Sequence, residues 1–185
     1  SFDGGDYITV SNPVNGIKSI SLWFNSDGVT NRGLLNLTTG KFIRFGSGSN
    51  VNAYGLSSPS IYLNNIKQVV NTSSTDNTSP NSSISISTLY HLVIITETSI
   101  DAGTSFEIGR YSGQSVYDNI KYYDGIIDDV RLYSTVLTEQ QIHDIYNDTV
   151  IKMYINGCID TTSTYSTLTL TGKVIFVFKT SILEL

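Results

Sequence analysis

Carboxylates and histidines are the residues of this chain best equipped for catalysis, and their spacing does not fit the common kinds. Glycoside cleavage needs two carboxylates flanking one bond, and a Glu-x-Asp-x-Glu strand supplies them by pointing alternate side chains into one cleft. Here Glu97, Glu107, Glu139 and Glu184 stand apart, and Asp128 and Asp129 are adjacent, so a strand turns them to opposite faces. Of the two histidines, His91 lies inside an apolar strand pattern, as a packed structural histidine would, and His143 falls on a helical pattern. A Cys158–His pair needs the C-terminal tail to fold back. The chain has no Gly-x-Ser-x-Gly elbow, no zinc-ligand spacing and no glycine-rich phosphate loop. No enzymatic activity is expected.

Two kinds of binding chemistry remain. Calcium takes six to eight oxygens from carboxylates and backbone carbonyls. Asp3 and Asp6 flank the Gly4-Gly5 turn, and Asp128 shares strand parity with Ile126, Val130 and Leu132. If the first and last strands are neighbours, these three Asp converge on a structural calcium ion. Otherwise Asp3 and Asp6 shape a turn, and Asp128 caps amides or pairs with an Arg. Sugars are held by aromatic faces and side-chain amides. Tyr54, Tyr62, Asn64, Tyr111, Tyr117 and Tyr122 lie near turns, and Tyr111 and Tyr117 flank a Gly/Ser/Gln turn. The candidate ligand-binding set is Tyr111, Tyr117, Tyr122 and Asn64; the competing reading of each is rim packing. Trp23 reads as core on the second face of its strand.

The elements that must position these residues are strands. The 185-residue chain is rich in Ser, Thr, Asn, Ile and Tyr, and only 15% of it is charged. β-branched and aromatic residues favour strands, and Asn, Gly and Ser make turns. Strand patterns recur over Tyr7–Val10, Ser19–Phe24, Leu34–Leu37, Phe42–Phe45, Asn52–Tyr54, Ile61–Leu63, Leu89–Thr96, Ser105–Ile108 and Ile126–Tyr133. Leu89–Thr96 is apolar on both faces and is expected to be central and covered on both sides. Asn71–Ser83 is poor in apolar residues and should be a mobile loop or a rim hairpin. One short helix is predicted near 138–146, with Thr138 as N-cap, Gln141 completing a capping box, and Ile142, Ile145 and Tyr146 forming its apolar stripe.

Net charge is −5 and the 11 Lys and Arg residues are scattered, which disfavours nucleic acid as a partner. No run approaches the roughly 18 apolar residues of a membrane span, so no membrane insertion is expected. The single cysteine forbids an intrachain disulfide. The start at Ser1 reads as a piece of a longer exported polypeptide, of bacterial or viral rather than typical eukaryotic kind.

Several segments together resemble one family. Phe2-Asp3-Gly4-Gly5-Asp6-Tyr7-Ile8 is similar to the opening of bacterial and viral laminin-G-like, or concanavalin A-like lectin/glucanase, domains. Ser19-Ile20-Ser21-Leu22-Trp23-Phe24 resembles the strand that follows, and Leu89-Tyr90-His91-Leu92-Val93 the family's aromatic-His strand. Ile108-Gly109-Arg110 matches a recurring turn. The fullest match is Tyr123-Asp124-Gly125-Ile126-Ile127-Asp128-Asp129-Val130-Arg131-Leu132-Tyr133 with Leu137-Thr138-Glu139-Gln140-Gln141-Ile142. The resemblance implies an all-β, two-sheet antiparallel jelly-roll sandwich with adjacent first and last strands, and it also allows a structural calcium.

One departure stands out. The family's hairpin after the aromatic-His strand is missing, and a similar segment, Ile151-Lys152-Met153-Tyr154-Ile155-Asn156-Gly157, lies near the C-terminus. The expected organisation is therefore a jelly-roll domain over 1–149 and C-terminal strands over 150–185. Those strands complete the same sandwich beside Leu89–Thr96, swap into a neighbouring subunit, or begin a further module.

The expected role is a non-catalytic recognition module of an extracellular, cell-surface or virion protein, binding a glycan or a cell-surface protein through rim loops. The competing expectation is an assembly component of a virion or cell envelope that forms homo-oligomers through its C-terminal strands.

Overall fold

A computed structural model describes residues 1–11, 15–28, 31–46, 50–74, 77–80, 83–102, 105–111 and 121–148, with short pieces at 153–155, 158–159 and 175–176. The strands are β1 (Phe2–Asp3), β2 (Ile8–Ser11), β3 (Ile17–Ser26), β4 (Gly33–Thr38), β5 (Lys41–Phe45), β6 (Val51–Tyr54), β7 (Ser60–Leu63), β8 (Ile66–Lys67), β9 (Val70–Ser74) and β10 (Asn77–Pro80). They continue with β11 (Leu89–Ile100), β12 (Ser105–Ile108), β13 (Arg110–Tyr111), β14 (Lys121–Tyr122) and β15 (Asp124–Tyr133). Helix α1 (Glu139–Asp148) follows, then β16 (Met153–Ile155), β17 (Cys158–Ile159) and β18 (Ile175–Phe176).

The chain divides into two units, Ser1–Thr138 and Glu139–Leu185. The first is the expected two-sheet antiparallel sandwich of jelly-roll type. Its six-stranded sheet has the order β1-β15-β3-β11-β7-β8 and its seven-stranded sheet the order β2-β12-β4-β5-β6-β10-β9. Alternation explains the core. Ile20, Leu22 and Phe24 of β3 with Leu92 and Ile94 of β11 point inward and meet Leu35, Ile43, Phe45, Val51 and Ala53 of the opposite sheet. Phe24 touches Phe45 edge-on, with ring centroids 5.5 Å apart.

The predicted strands lie where the patterns put them. β11 is interior to its sheet, and His91, Leu92, Val93 and Ile94 are all buried. At Asn71–Ser83 the strands β9 (from Val70) and β10 pair with each other at the edge of the seven-stranded sheet. The opening segment divides between the layers: Phe2 and Asp3 pair with Gly125 and Asp124, and Ile8–Ser11 pair with β12 in the other sheet. First and last strands are thus neighbours through β1 alone.

Two local features depart from the sequence reading. Both edges of β11 are paired, with β3 and with β7, so Ser60–Leu63 holds the place where the tail was expected. Met153–Ile155 instead pairs with β17 and β18 in a three-stranded sheet of the second unit. The second feature is a β-bulge in β15. Asp128 opposes Trp23 and Arg131 opposes Ser21, so three steps on β15 match two on β3, with Asp129 at φ 49°. The extra residue reverses the parity. Asp128 is exposed on the outer face, and Val130 and Leu132 pack against the core. Asp128 therefore does not share an apolar face with them, as strict alternation predicted.

In the second unit α1 begins at Glu139, next to the predicted cap Thr138, and Ile142 is fully buried. Among the described residues no helix is long and apolar enough to cross a membrane.

Candidate ligand-binding face

Residues directly opposite one another in an antiparallel sheet project from the same face. In the seven-stranded sheet Thr9 opposes Glu107, Glu107 opposes Asn36, Asn36 opposes Phe42, and Phe42 opposes Tyr54. These five residues form one transverse row on the outer face, since their neighbours Phe106, Ile43 and Ala53 face the core. At about 4.8 Å per strand, the row spans about 19 Å. It combines a hydroxyl, a carboxylate, an amide and two aromatic rings, of which Phe42 is buried and Tyr54 half-buried.

The row is rigid. Tyr54 and Phe42 stack with centroids 4.7 Å apart and planes 5° from parallel. Tyr111 stacks on Phe42 at 4.6 Å and 16°. Arg44, one pleat along β5, places its guanidinium carbon 5.7 Å from the Phe42 centroid and 5.2 Å from that of Tyr111, and its Nη1 donates to the Tyr111 hydroxyl at 2.6 Å. Such cation–π contacts add to the stacking. A glycine lets Tyr111 reach this position. A Cβ on Gly33 would lie 2.3 Å from the Tyr111 backbone nitrogen and 2.7 Å from the Lys121 carbonyl oxygen, so only glycine allows the β13–β14 arm to lie against β4. Gly109 has the same kind of role: at φ 87° its absent Cβ leaves room for the Phe2 ring.

The other end of the row is an ion-paired aromatic cluster. Arg110 pairs with Glu107, and Asn36 Nδ2 donates to Glu107 Oε2 at 2.9 Å. The hydrogen bond from Arg110, reinforced by that from Asn36 against the opposing effect of burial, holds the Glu107 carboxyl below its usual range. The Arg110 guanidinium carbon sits 3.5 Å from the centroid of the Tyr7 ring, and Tyr122 tilts against Tyr7 at 6.3 Å.

The expected ligand residues fare differently. Tyr111 is 1% exposed, so it is an internal member of the stack rather than an open platform. Tyr122 is half-buried beside Arg110, on the two-residue strand that pairs with it. Tyr54 is half-buried at one end of the row, and Tyr62 is buried with the Lys67 Nζ 6.0 Å from its ring centroid. Tyr117 lies outside the described residues. Asn64 is structural. With Asn65 it forms a two-residue turn at φ 48° and 65°, its backbone N–H donates to the His91 carbonyl at 2.9 Å, and its Oδ1 accepts from the His91 N–H at 2.9 Å. It thereby extends the β7 ladder on β11.

The three expected metal ligands are not brought together. Asp3 opposes Asp124, four residues from Asp128 along β15, which amounts to about 13 Å of strand. Asp3 Oδ1 accepts from the Gly5 N–H at 3.0 Å, and Asp124 pairs with Arg32 at 3.6 Å. Asp6 is exposed, and Asp128 Oδ1 accepts from the Asp129 N–H at 2.8 Å. Among the described residues no three His, Cys, Asp or Glu side chains gather as a metal site.

The outer face of the six-stranded sheet carries a buried polar cluster. The His91 ring stacks on Trp23 at 4.9 Å, and His91 Nε2 lies 2.9 Å from Ser21 Oγ. Serine beside histidine is the geometry of an activated nucleophile, but Ser21 and His91 are both 0% exposed and closed to any substrate. Burial, opposed by Asp129 and aided by Arg131, lowers the His91 pKa from 6.5 to about 4. This histidine is neutral and structural, as its place in an apolar strand implied.

The sequence reading missed Thr9, Asn36, Phe42, Arg44, Glu107 and Arg110 as one surface. The signal available was the outward parity of Asn36, Phe42 and Arg44 on strands whose alternate residues are apolar. No family model matches this chain, and no curated protein or solved structure matches it.

Proposed function

We propose that this chain is a non-catalytic recognition module of the laminin-G-like, concanavalin A-like type, carried on an exported or surface protein. In this reading its ligand is a saccharide. The observation that supports it most is the Thr9–Glu107–Asn36–Phe42–Tyr54 row on the outer face of the seven-stranded sheet. Pyranose rings present apolar faces and hydroxyl edges. Tyr54, half-buried and held against the buried Phe42 ring, suits the first, and the amide, carboxylate and hydroxyl of the row suit the second. The ligand surface is then the sheet face, not the rim loops. Immobilised oligosaccharides probed with the wild-type chain and with Tyr54→Ala and Asn36→Ala test the proposal. Binding should fall about tenfold or more in each variant, as expected when a stacking or hydrogen-bonding group is lost, while both still melt cooperatively. Wild-type protein that captures no saccharide overturns it.

A second reading has its own support. Residues Glu139–Leu185 form a separate unit whose strands pair with one another, as suits an assembly element. In that case the chain is a stable oligomer in light scattering, and deletion of 150–185 yields monomer.

A further inference from the structure

Among the described residues Arg44 makes no ion pair. It is half-buried on the outer face, its Nε is enclosed without a hydrogen-bond partner, and its one hydrogen bond among the described residues goes to the Tyr111 hydroxyl. Among the described residues no carboxylate lies within ion-pair distance of it. The nearest carboxylate of the row, Glu107, is engaged by Arg110 and Asn36, and Asp124 and Asp129 are engaged by Arg32 and Arg131. A guanidinium has five N–H donors in a fixed fork that matches a carboxylate. Desolvating part of such a group without an anion is unfavourable.

We infer that Arg44 receives a carboxylate of the ligand, and that the saccharide is therefore acidic, with a sialic or uronic acid unit seated beside the Tyr54–Phe42–Tyr111 stack. The inference rests on the saccharide reading and narrows it. The stack fixes the guanidinium in place, so little side-chain freedom is lost when the anion arrives. A single carboxylate also suits the site better than a sulfate cluster, because Glu107 is in the same row as Phe42.

The test uses the full chain on an array of sialylated and uronic-acid-terminated oligosaccharides. Their neutral or carboxyl-reduced parents and sulfated neutral saccharides are printed beside them. The carboxylated members should bind about ten- to a hundredfold tighter than their parents, the range expected for a charge-assisted contact. Added salt should narrow that difference. Arg44→Met, which keeps an unbranched stem beside the rings, should bind parent and acid alike, and Arg44→Lys should keep part of the preference. Equal wild-type binding of acids and parents overturns the inference and leaves the saccharide reading standing, as does a preference for sulfated saccharides or one that survives in Arg44→Met. Absence of binding to every saccharide removes both. Should Arg44→Met fail to fold, the wild-type salt dependence and the Arg44→Lys profile still decide.

Discussion

Acidification should unlock this fold through one residue. His91 is wholly enclosed between Trp23 and Ser21, and burial lowers its pKa from 6.5 to about 4. Above pH 6.5 the ring is neutral in the folded and unfolded chains alike, so its environment carries no penalty. Below 6.5 the unfolded chain takes up a proton that the folded chain refuses until about pH 4, and stability falls throughout that window. At about 1.4 kcal/mol per pKa unit, the displacement amounts to about 3 kcal/mol. Glu107 acts lower down. Its pKa lies below 4.5, so its contribution is present above 4.5 and is lost as pH falls beneath that value. The interval from 6.5 to 4.5 therefore reports mainly on His91.

The assay is urea unfolding at a series of pH values, read by the fluorescence of the chain's single tryptophan, Trp23, which stacks on the His91 ring. Wild-type stability should drop by about 2–3 kcal/mol across the interval, and His91→Gln should show a flatter profile there, whatever its stability at neutral pH. A wild-type profile level between pH 6.5 and 4.5, or an equal slope in His91→Gln, would refute the reasoning.

Other expectations concern packing. Phe24→Ala empties a fully buried site against Phe45 and Tyr90 and should cost about 3–5 kcal/mol in denaturant unfolding. Gly33→Ala drives a methyl group into the Tyr111 backbone; it should cost about 1–3 kcal/mol and loosen the Tyr111 stack, visible as altered aromatic circular dichroism. Asn64→Gly keeps the left-handed turn and removes the bond to the His91 N–H, whereas Asn64→Ala also strains the backbone. The glycine variant should lose about 1 kcal/mol and the alanine variant about 1–2 kcal/mol more, measured by thermal or urea unfolding.

Alternation made most of the sandwich legible in the sequence. Ile20, Leu22 and Phe24, or Leu92 and Ile94, show which face is inward without reference to any partner. The bulge in β15 was invisible to that reasoning, because one extra residue between Asp128 and Arg131 is defined only by what stands opposite. The result was an Asp128 assigned to an apolar face. Tyr111 was misjudged for a related reason. Its Gly- and Ser-rich neighbours read as an exposed turn, but its burial is decided by the absent side chain of Gly33 on a distant strand. The proposed binding row crosses β2, β12, β4, β5 and β6, an order that is far from chain order. Local spacing identifies its members as outward-facing, and only strand register puts them in line.

The claim on which the functional account stands is that the outer face of the seven-stranded sheet holds the ligand. Amide chemical-shift mapping during titration with an oligosaccharide captured from the array tests it most directly. The account predicts saturable shifts centred on Thr9, Asn36, Arg44, Tyr54 and Glu107, with β3 and β11 of the opposite sheet undisturbed. Shifts confined to the six-stranded sheet or to residues beyond 138 would contradict it.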